Sequence, residues 1–289
     1  MTAKCLNAKR KNALFAIVPF WLTIALILAS LAQITSCQRD EAQQIFDRGL
    51  TLWETKKYDE SIQNFIALTK AFPEHHLVDD SLFWIANIYE HYLKDSKQAV
   101  RFYRSLTIKF ESSDYYLKSM VGLARVRALE GDEGKRKAIR IYRKLQKKPA
   151  IHEGKEWTEN QLQLAGLFFD LKQFKQARIE LKRLIVEKPQ SKLLPRAYYK
   201  LGRSYYLEGK IDLARITFLE TEQKYEFQKA SLDSAINLAD IYEESGELES
   251  AIKVYQTILN RLEEKEVYYQ MAVNRMKKLR SRLRKTITG

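Results

Sequence analysis

Glycine and proline are scarce in this chain, which has 10 Gly and 5 Pro among 289 residues. Turn-rich β folds need many such residues, so their scarcity argues against a β-sandwich or β-barrel. Apolar residues make up 45% of the chain and charged residues 30%. Leu, Ala, Lys, Glu and Tyr are abundant, and the composition predicts an all-α protein with a sizeable core.

Acidic residues are missing from the start of the chain, where the first one is Asp40. Lys4, Lys9, Arg10 and Lys11 form a basic start, and the segment from 13 to 32 is almost wholly apolar. This order is typical of an export signal, predicted over residues 1–36. The alternative is an uncleaved membrane anchor, because about 20 apolar residues can also span a bilayer.

Cysteine is nearly absent, with Cys5 and Cys37 the two in the chain. Removal of the signal leaves Cys37 alone, so no disulfide framework is expected. Ile34, Thr35 and Ser36 precede Cys37, and this ending resembles the lipobox of bacterial lipoproteins. The resemblance implies diacylglycerol on the Cys37 thiol, cleavage before it and acylation of the new amino group. Such chains would anchor the protein stably to a membrane.

The residue after Cys37 bears on localisation, and residues 37–43 form a short polar tether. An Asp after the lipidated cysteine signals inner-membrane retention in the best-studied diderm bacteria, and this chain has Gln38. The resemblance therefore implies an outer-membrane lipoprotein that faces the periplasm, with inner-membrane retention the alternative.

Net charge restricts the partners. The formal charge is +14, and removal of residues 1–36 takes away four cations and no anion, which leaves +10. A basic protein ordinarily suggests nucleic acid as a partner, but export argues against it. Anionic lipid, other anionic envelope material or an acidic protein surface are the partners expected instead.

Catalytic signatures are also lacking. No GxGxxG, phosphate-binding loop, HExxH or GxSxG pattern occurs in the sequence. His75 and His76 are adjacent on a predicted linker, and His91 and His152 are isolated, so ordinary surface histidines are favoured over a metal site. No enzyme activity, cofactor, metal or small-molecule substrate is predicted.

What the chain does have is a repeat of two helices. A small residue recurs on each predicted first helix at intervals of 37, 38, 41, 37 and 37, and another on each second helix at 38, 39, 39, 37 and 37. Helices cross closely only where side chains are small, so both series indicate packing points. The first series is Gly49, Ala86, Ala124, Ala165, Gly202 and Ala239; the second is Ser61, Ala99, Ala138, Ala177, Ala214 and Ala251.

These residues resemble the pattern of tetratricopeptide repeat (TPR) proteins. The resemblance implies a right-handed TPR solenoid of about six helix-turn-helix repeats, because one hairpin cannot bury both apolar faces alone. Repeat three has an insertion of about two to three residues between Gly131 and Ala138. The predicted repeats within 42–262 cover about 42–75, 79–112, 117–149, 158–189, 195–226 and 232–263.

The tail at 264–289 is predicted to be a basic capping helix and its end. Ala272, Met276, Leu279 and Leu283 form an apolar stripe on it. A terminal helix of this kind covers the apolar face that the last repeat would otherwise expose.

The period near 37 is similar to that of TPR lipoproteins and periplasmic proteins of diderm bacteria, such as the BamD, YbgF and pilotin group. This resemblance implies a non-enzymatic, membrane-anchored scaffold for envelope proteins or their peptide segments. Its most specific form is a BamD-like role in outer-membrane protein assembly. The alternatives are a Tol-Pal, pilus or secretion scaffold, or an accessory subunit of a peptidoglycan enzyme.

In TPR solenoids the first helices line a groove, so groove positions can be counted from each small residue. Aromatic and Arg side chains are the commonest anchors of partners, although each aromatic could instead pack between repeats. The predicted groove residues are Phe83, Asn87, Arg125, Phe169, Tyr199, Arg203, Tyr206, Asp240 and Glu243.

Two basic patches are candidates for contact with lipid or an acidic partner. One lies between Gly134 and Pro149, which enclose eight basic residues and no acid, and the other on the tail helix. The alternative is a solvated face in both cases. The patch residues are Lys135, Arg136, Lys137 and Arg140, and Arg275, Lys277, Lys278 and Arg282.

Overall fold

The computed structural model of the protein describes residues 41–148, 156–226, 228–263 and 266–288. Within these ranges all regular structure is helical and no strand occurs. The chain divides into two compact units, the first ending at Ile88 and the second beginning at Tyr89. The predicted all-α class is confirmed.

In its described part, residues 41–88, the first unit contains three helices, α1 (41–54), α2 (Tyr58–Ala71) and α3 (Leu77–Ile88). Phe46 on α1 and Phe65 on α2 are buried, with ring centroids 5.4 Å apart. Trp53 and Trp84 add a second aromatic contact, at 4.8 Å between α1 and α3. Apolar residues recurring every three to four positions place these rings on the inner faces.

The second unit begins with a π-helical turn, Tyr89–Leu93, and continues as tandem helix pairs. Consecutive helices pack against each other along this unit, as in stacked repeats. Its helices are α4 (Ser96–Lys109), α5 (Tyr116–Arg127), α6 (Gly131–Gln146), α7 (Glu156–Asp170), α8 (Phe174–Glu187), α9 (Leu194–Tyr206), α10 (Ile211–Lys224), α11 (Lys229–Glu244), α12 (Leu248–Leu259) and α13 (Val267–Thr288).

The small residues of both series are buried in every repeat, as predicted. A Cβ added to Gly49 would lie 2.7 Å from the Phe65 ring, and one added to Gly202 would lie 2.6 Å from the Phe218 ring. Repeats with Ala at this position have Tyr or Leu, not Phe, four residues after the second small residue. At these two glycines a Phe ring of the second helix therefore occupies the space that a side chain would need.

A residue with positive φ follows the first helix of each repeat. Gly131, Gly209 and Gly246 occupy this position in three repeats, with φ between 71° and 80°. Lys56, Lys94 and Lys172 occupy it in the others, with φ between 55° and 62°. A left-handed residue closes a helix by satisfying its last carbonyls, and glycine adopts it without steric strain.

Two repeats contain extra residues, and each is accommodated differently. In repeat two the residue with positive φ, Lys94, stands eight positions after Ala86, whereas the spacing is seven in the other repeats. The π turn at Tyr89–Leu93 absorbs this added residue. In repeat three the predicted insertion lengthens α6, which starts seven residues before Ala138.

Helix α13 caps the second unit, as predicted. Ala272 and Leu279 are fully buried in a core shared with α11 and α12, and Met276 and Leu283 pack against it. The Tyr268 hydroxyl donates a hydrogen bond to Asp233 Oδ1 at 2.6 Å. Burial and this bond raise the pKa of Tyr268 to about 12.

Between residues 41 and 288, no described helix combines the length and apolar character needed to cross a bilayer. The apolar segment at 13–32, the lipobox-like ending and Cys37 lie outside the described residues. Their predicted roles as export signal and lipid attachment site stay predictions.

Candidate partner-binding surface

The candidate surface consists of exposed positions on the first helices of the second unit. Two contacts there share one spacing. In each, the residue directly after the small residue of one first helix contacts a residue of the preceding repeat. That second residue stands four positions after the small residue of its own first helix. Arg125 contacts Glu90 in this way, and Arg203 contacts Phe169. This spacing places side chains of neighbouring repeats together at sequence separations of 35 and 34.

Glu90 is the centre of the first cluster. Its side chain is only 9% exposed, and its Oε2 accepts hydrogen bonds from Tyr103 Oη at 2.8 Å and Arg125 Nη2 at 2.7 Å. Arg125 Nε donates to the other carboxylate oxygen, and the His91 ring lies beside the guanidinium. The bond to Glu90 raises the pKa of Arg125. Both charges are therefore compensated within the protein.

Phe169, Tyr199, Lys200 and Arg203 form a second cluster, the cationic aromatic cluster. The Arg203 guanidinium carbon lies 5.5 Å from the Phe169 ring centroid and 5.9 Å from that of Tyr199. Lys200 Nζ lies 5.6 Å from the Phe169 centroid. Each distance is within the range of cation–π attraction.

Two helices build this cluster, and second helices support its rings. Phe169 lies in the last turn of α7 and packs edge-on against Phe174 of α8, with centroids 5.3 Å apart. Tyr199 on α9 lies 6.3 Å from the buried ring of Phe218. The rings are half-buried, so they combine a fixed position with an exposed edge. Ring supports of this kind limit the rotamers available to Arg203.

Among the described residues, no ion pair within 4.0 Å joins Lys200 or Arg203 to a carboxylate, and Asp170 acts on Lys200 from a longer distance. Burial lowers the pKa of Lys200, and repulsion from Arg196 and Arg203 adds to this effect, while Asp170 opposes it. Two cations are thus held together in a partly desolvated position.

A third cluster joins α9, α11 and α13. Tyr206 Oη donates to Glu244 Oε1 at 2.7 Å, and this bond is the main cause that raises the pKa of Tyr206 to about 12. Glu243 pairs with Arg282 and, at 3.9 Å, with Arg275. Burial raises the pKa of Asp240, with Arg275 opposing it. The acidic end of the predicted groove is therefore occupied by the capping helix.

The basic patches are partly neutralised as well. Glu133 lies within 3.9 Å of three cations of the α6 patch, and Asp132 lies 3.4 Å from the fourth. Exposed pairs of this type contribute about 0–1 kcal/mol each. The α6 cations are Lys135, Arg136, Lys137 and Arg140; on α13, Lys277 and Lys278 are exposed, and Arg275 and Arg282 pair with Glu243.

The predicted groove residues therefore separate into groups. Phe83 and Asn87 are half-buried in the first unit, and the others lie in the three clusters. Sequence reasoning missed Lys200 and Glu244, because they stand outside the counted positions. The spacing of 34 to 38 residues between oppositely charged or hydrogen-bonding side chains is the signal that could have found the pairs Glu90–Arg125 and Tyr206–Glu244.

Comparison with known sequences identifies the repeat class. Profiles described as tetratricopeptide repeat match residues 80–113, 196–226 and 234–266. These segments are repeats two, five and six of the structure. The chain therefore contains TPR repeats, which generally act as scaffolds for protein–protein interaction. No curated protein matches the chain.

Solved structures share the fold. A tetratricopeptide repeat protein from Parabacteroides merdae is 13% identical, with 83% of this chain and 87% of that chain covered and a TM-score of 0.58. PilW, titled a widely conserved type IV pilus biogenesis factor, is 17% identical over 80% and 98%, with a TM-score of 0.50. PilF of Pseudomonas aeruginosa is 16% identical over 81% and 97%, with a TM-score of 0.51.

Proposed function

We propose that this protein is a non-enzymatic scaffold of the bacterial envelope that holds a segment of another envelope protein on its first-helix surface. The observation that carries the proposal is the cationic aromatic cluster, where Arg203 lies between Phe169 and Tyr199. Tyr and Arg are enriched among the side chains that dominate binding to a protein partner, and Phe169, Tyr199 and Arg203 are all half-buried.

The proposal includes a lipid anchor at Cys37. It rests on the basic start, the apolar segment 13–32 and the small residues that lead into Cys37. With Gln38 next, the protein would be retained on the periplasmic face of the outer membrane. Attached acyl chains would keep the repeats close to the membrane and to membrane-bound partners.

The most specific role we propose is BamD-like, in the assembly of outer-membrane proteins. A pilus scaffold is the main alternative, and its support is the fold shared with PilW and PilF, two proteins whose identity to this chain is 17% and 16%. A Tol-Pal or secretion scaffold, or an accessory subunit of a peptidoglycan enzyme, would use the same surface.

The lipid anchor can be tested by mass spectrometry of the mature protein from its native membranes. The proposal expects an N-terminal Cys37 that carries diacylglycerol and an amide-linked acyl chain. Cys37→Ser should carry no lipid and should keep residues 1–36, because cleavage depends on the lipidated cysteine. An intact N-terminus with an unmodified Cys37 would refute the anchor.

The scaffold role can be tested by affinity capture from native membranes solubilised in mild detergent. The wild-type chain should recover a defined envelope protein, and Tyr199→Ala with Arg203→Ala should lose it. Arg104→Ala, at an exposed cation on α4 outside the clusters and patches, serves as the matched control and should keep it. Depletion of the protein should lower β-barrel protein levels if the role is BamD-like; unchanged levels would favour the alternatives.

A further inference from the structure

From the cationic aromatic cluster we infer that the bound partner segment is acidic, and that one of its Asp or Glu carboxylates pairs with Arg203 and Lys200 beside the Phe169 ring. This inference rests on the proposed function, because it specifies the chemistry of a segment held on the same surface. The ligand that we infer is a carboxylate of a protein. Binding of phosphate or of lipid headgroups in its place is a result that the experiment below can detect.

The first argument comes from charge compensation. The other groove cation of the second unit, Arg125, is paired with a carboxylate, and the groove acid Glu243 is paired with arginines of α13. Within the described ranges, Arg203 and Lys200 have aromatic neighbours but no carboxylate in ion-pair range. An external anion would therefore complete an ion pair at this cluster.

Second, folding has already removed part of the water around Lys200. This side chain is half-buried, and Arg196 and Arg203 repel its charge, while Asp170 attracts it. An incoming carboxylate would relieve this repulsion, and it would meet a cation whose hydration has already been partly removed by folding. Electrostatic attraction is stronger in such a position than on an open surface.

The third argument concerns the shape of the ligand. Arg203 has a planar guanidinium whose cation–π contacts leave its N–H groups available for a two-point bond to a carboxylate. Gly166 precedes Phe169 by nearly one helical turn, and no atom lies within 4 Å of the position that its Cβ would occupy. An apolar side chain next to the acidic one could therefore lie beside the Phe169 ring.

The experiment is a selection from a random peptide library on the full-length chain purified in detergent, followed by fluorescence-polarisation titration of the enriched peptides. The expected peptides carry Asp or Glu next to an apolar residue. Arg203→Glu should weaken their binding by about tenfold or more. Lys200→Met should weaken it less, and Arg104→Glu on α4, at an exposed cation outside the clusters and patches, should bind like the wild type.

Thermal melting followed by circular dichroism of each variant separates lost binding from unfolding. A second selection on the Arg203→Glu chain should enrich basic peptides, a change that misfolding cannot produce. Raised salt should weaken wild-type binding, because the pair is electrostatic.

Three other results would overturn the inference. Enriched peptides without acidic residues, bound equally by Arg203→Glu, would refute it and leave the scaffold proposal standing. Equal displacement of the peptides by inorganic phosphate, or by vesicles with phosphatidylglycerol, would show a general anion site. If the selection enriches no peptide, the inference is refuted. If the affinity capture also recovers no envelope protein, the scaffold proposal is refuted with it.

Discussion

Single residues at fixed positions decide how closely neighbouring helices can approach. Gly202 illustrates this most clearly, because the ring of Phe218 occupies the space that a side chain would need. Gly166 is also within a helix, yet nothing lies near the position of its missing Cβ. The same residue type is therefore required by packing in α9 and not in α7.

Alanine substitutions should separate these two cases. Gly202→Ala should lower the free energy of unfolding by about 1–3 kcal/mol, because the new methyl overlaps a fully buried ring. Gly166→Ala should raise it by about 0.5–1 kcal/mol, because alanine favours the helix. Urea unfolding of both variants gives the comparison, and equal effects would contradict the packing role of Gly202.

The lysines with positive φ provide a second residue-scale prediction. Lys172 closes α7 with a φ of 55°, where other repeats have glycine. Lys172→Gly should stabilise the protein by about 1 kcal/mol, because a left-handed conformation is strained for a residue with a Cβ. Lys175→Gly, near the start of α8, is the control and should destabilise the protein. Thermal melting of both variants gives the comparison.

At the scale of elements, the repeat period predicted nearly all of the helix pairs. Both series of small residues identified buried packing points, because close contact between helices requires small side chains in every repeat. The π turn at Tyr89–Leu93 was not predicted, because one extra residue can be absorbed by a π turn or a longer loop at similar energy. The sequence also did not decide whether the insertion in repeat three would lengthen α6 or the loop before it.

The capping role of α13 rests on its buried stripe. Leu279 is fully buried and its neighbour Lys278 is exposed. Leu279→Ala should lower the free energy of unfolding by about 2–5 kcal/mol through lost contacts and a cavity. Lys278→Ala should change it by less than about 0.5 kcal/mol. Similar values for both variants, measured by urea unfolding, would argue that α13 does not cap the core.

Attachment of α13 should also depend on alkaline pH through Tyr268. The folded pKa of this phenol, about 12, lies above its ordinary value. Its contribution to stability is therefore complete below about pH 10 and is lost as pH rises through about 12. Tyr268→Phe should flatten this part of the stability profile, and Tyr269→Phe, which keeps the bond to Asp233, should not. A wild-type profile for Tyr268→Phe would contradict the assignment.

At the scale of the whole molecule, the formal charge of +14 gives the excess of cations over anions and not which cations have an acidic neighbour. The cations of the α6 patch pair with Asp132 and Glu133, and Arg125, Arg275 and Arg282 pair with groove acids. Sequence counting identified which helices carry candidate residues. It could not identify which cations stay uncompensated, because that depends on contacts between repeats about 35 residues apart.

We therefore expect a partner to contact mainly Tyr199, Lys200 and Arg203 of α9. The surface of the second helices provides the natural comparison, since Ile216 on α10 is 61% exposed and outside the three clusters. A photoreactive amino acid at 199 or at 216 would report which of these surfaces a partner touches in living cells.

The most direct test is thus in-cell photocrosslinking from position 199, with position 216 as the matched control. We expect a photoreactive residue in place of Tyr199 or Tyr206 to crosslink to the same envelope protein, and Arg203→Glu to abolish both products. Crosslinks from position 216 without any from 199 or 206 would contradict the assignment of the first-helix surface as the partner-binding surface.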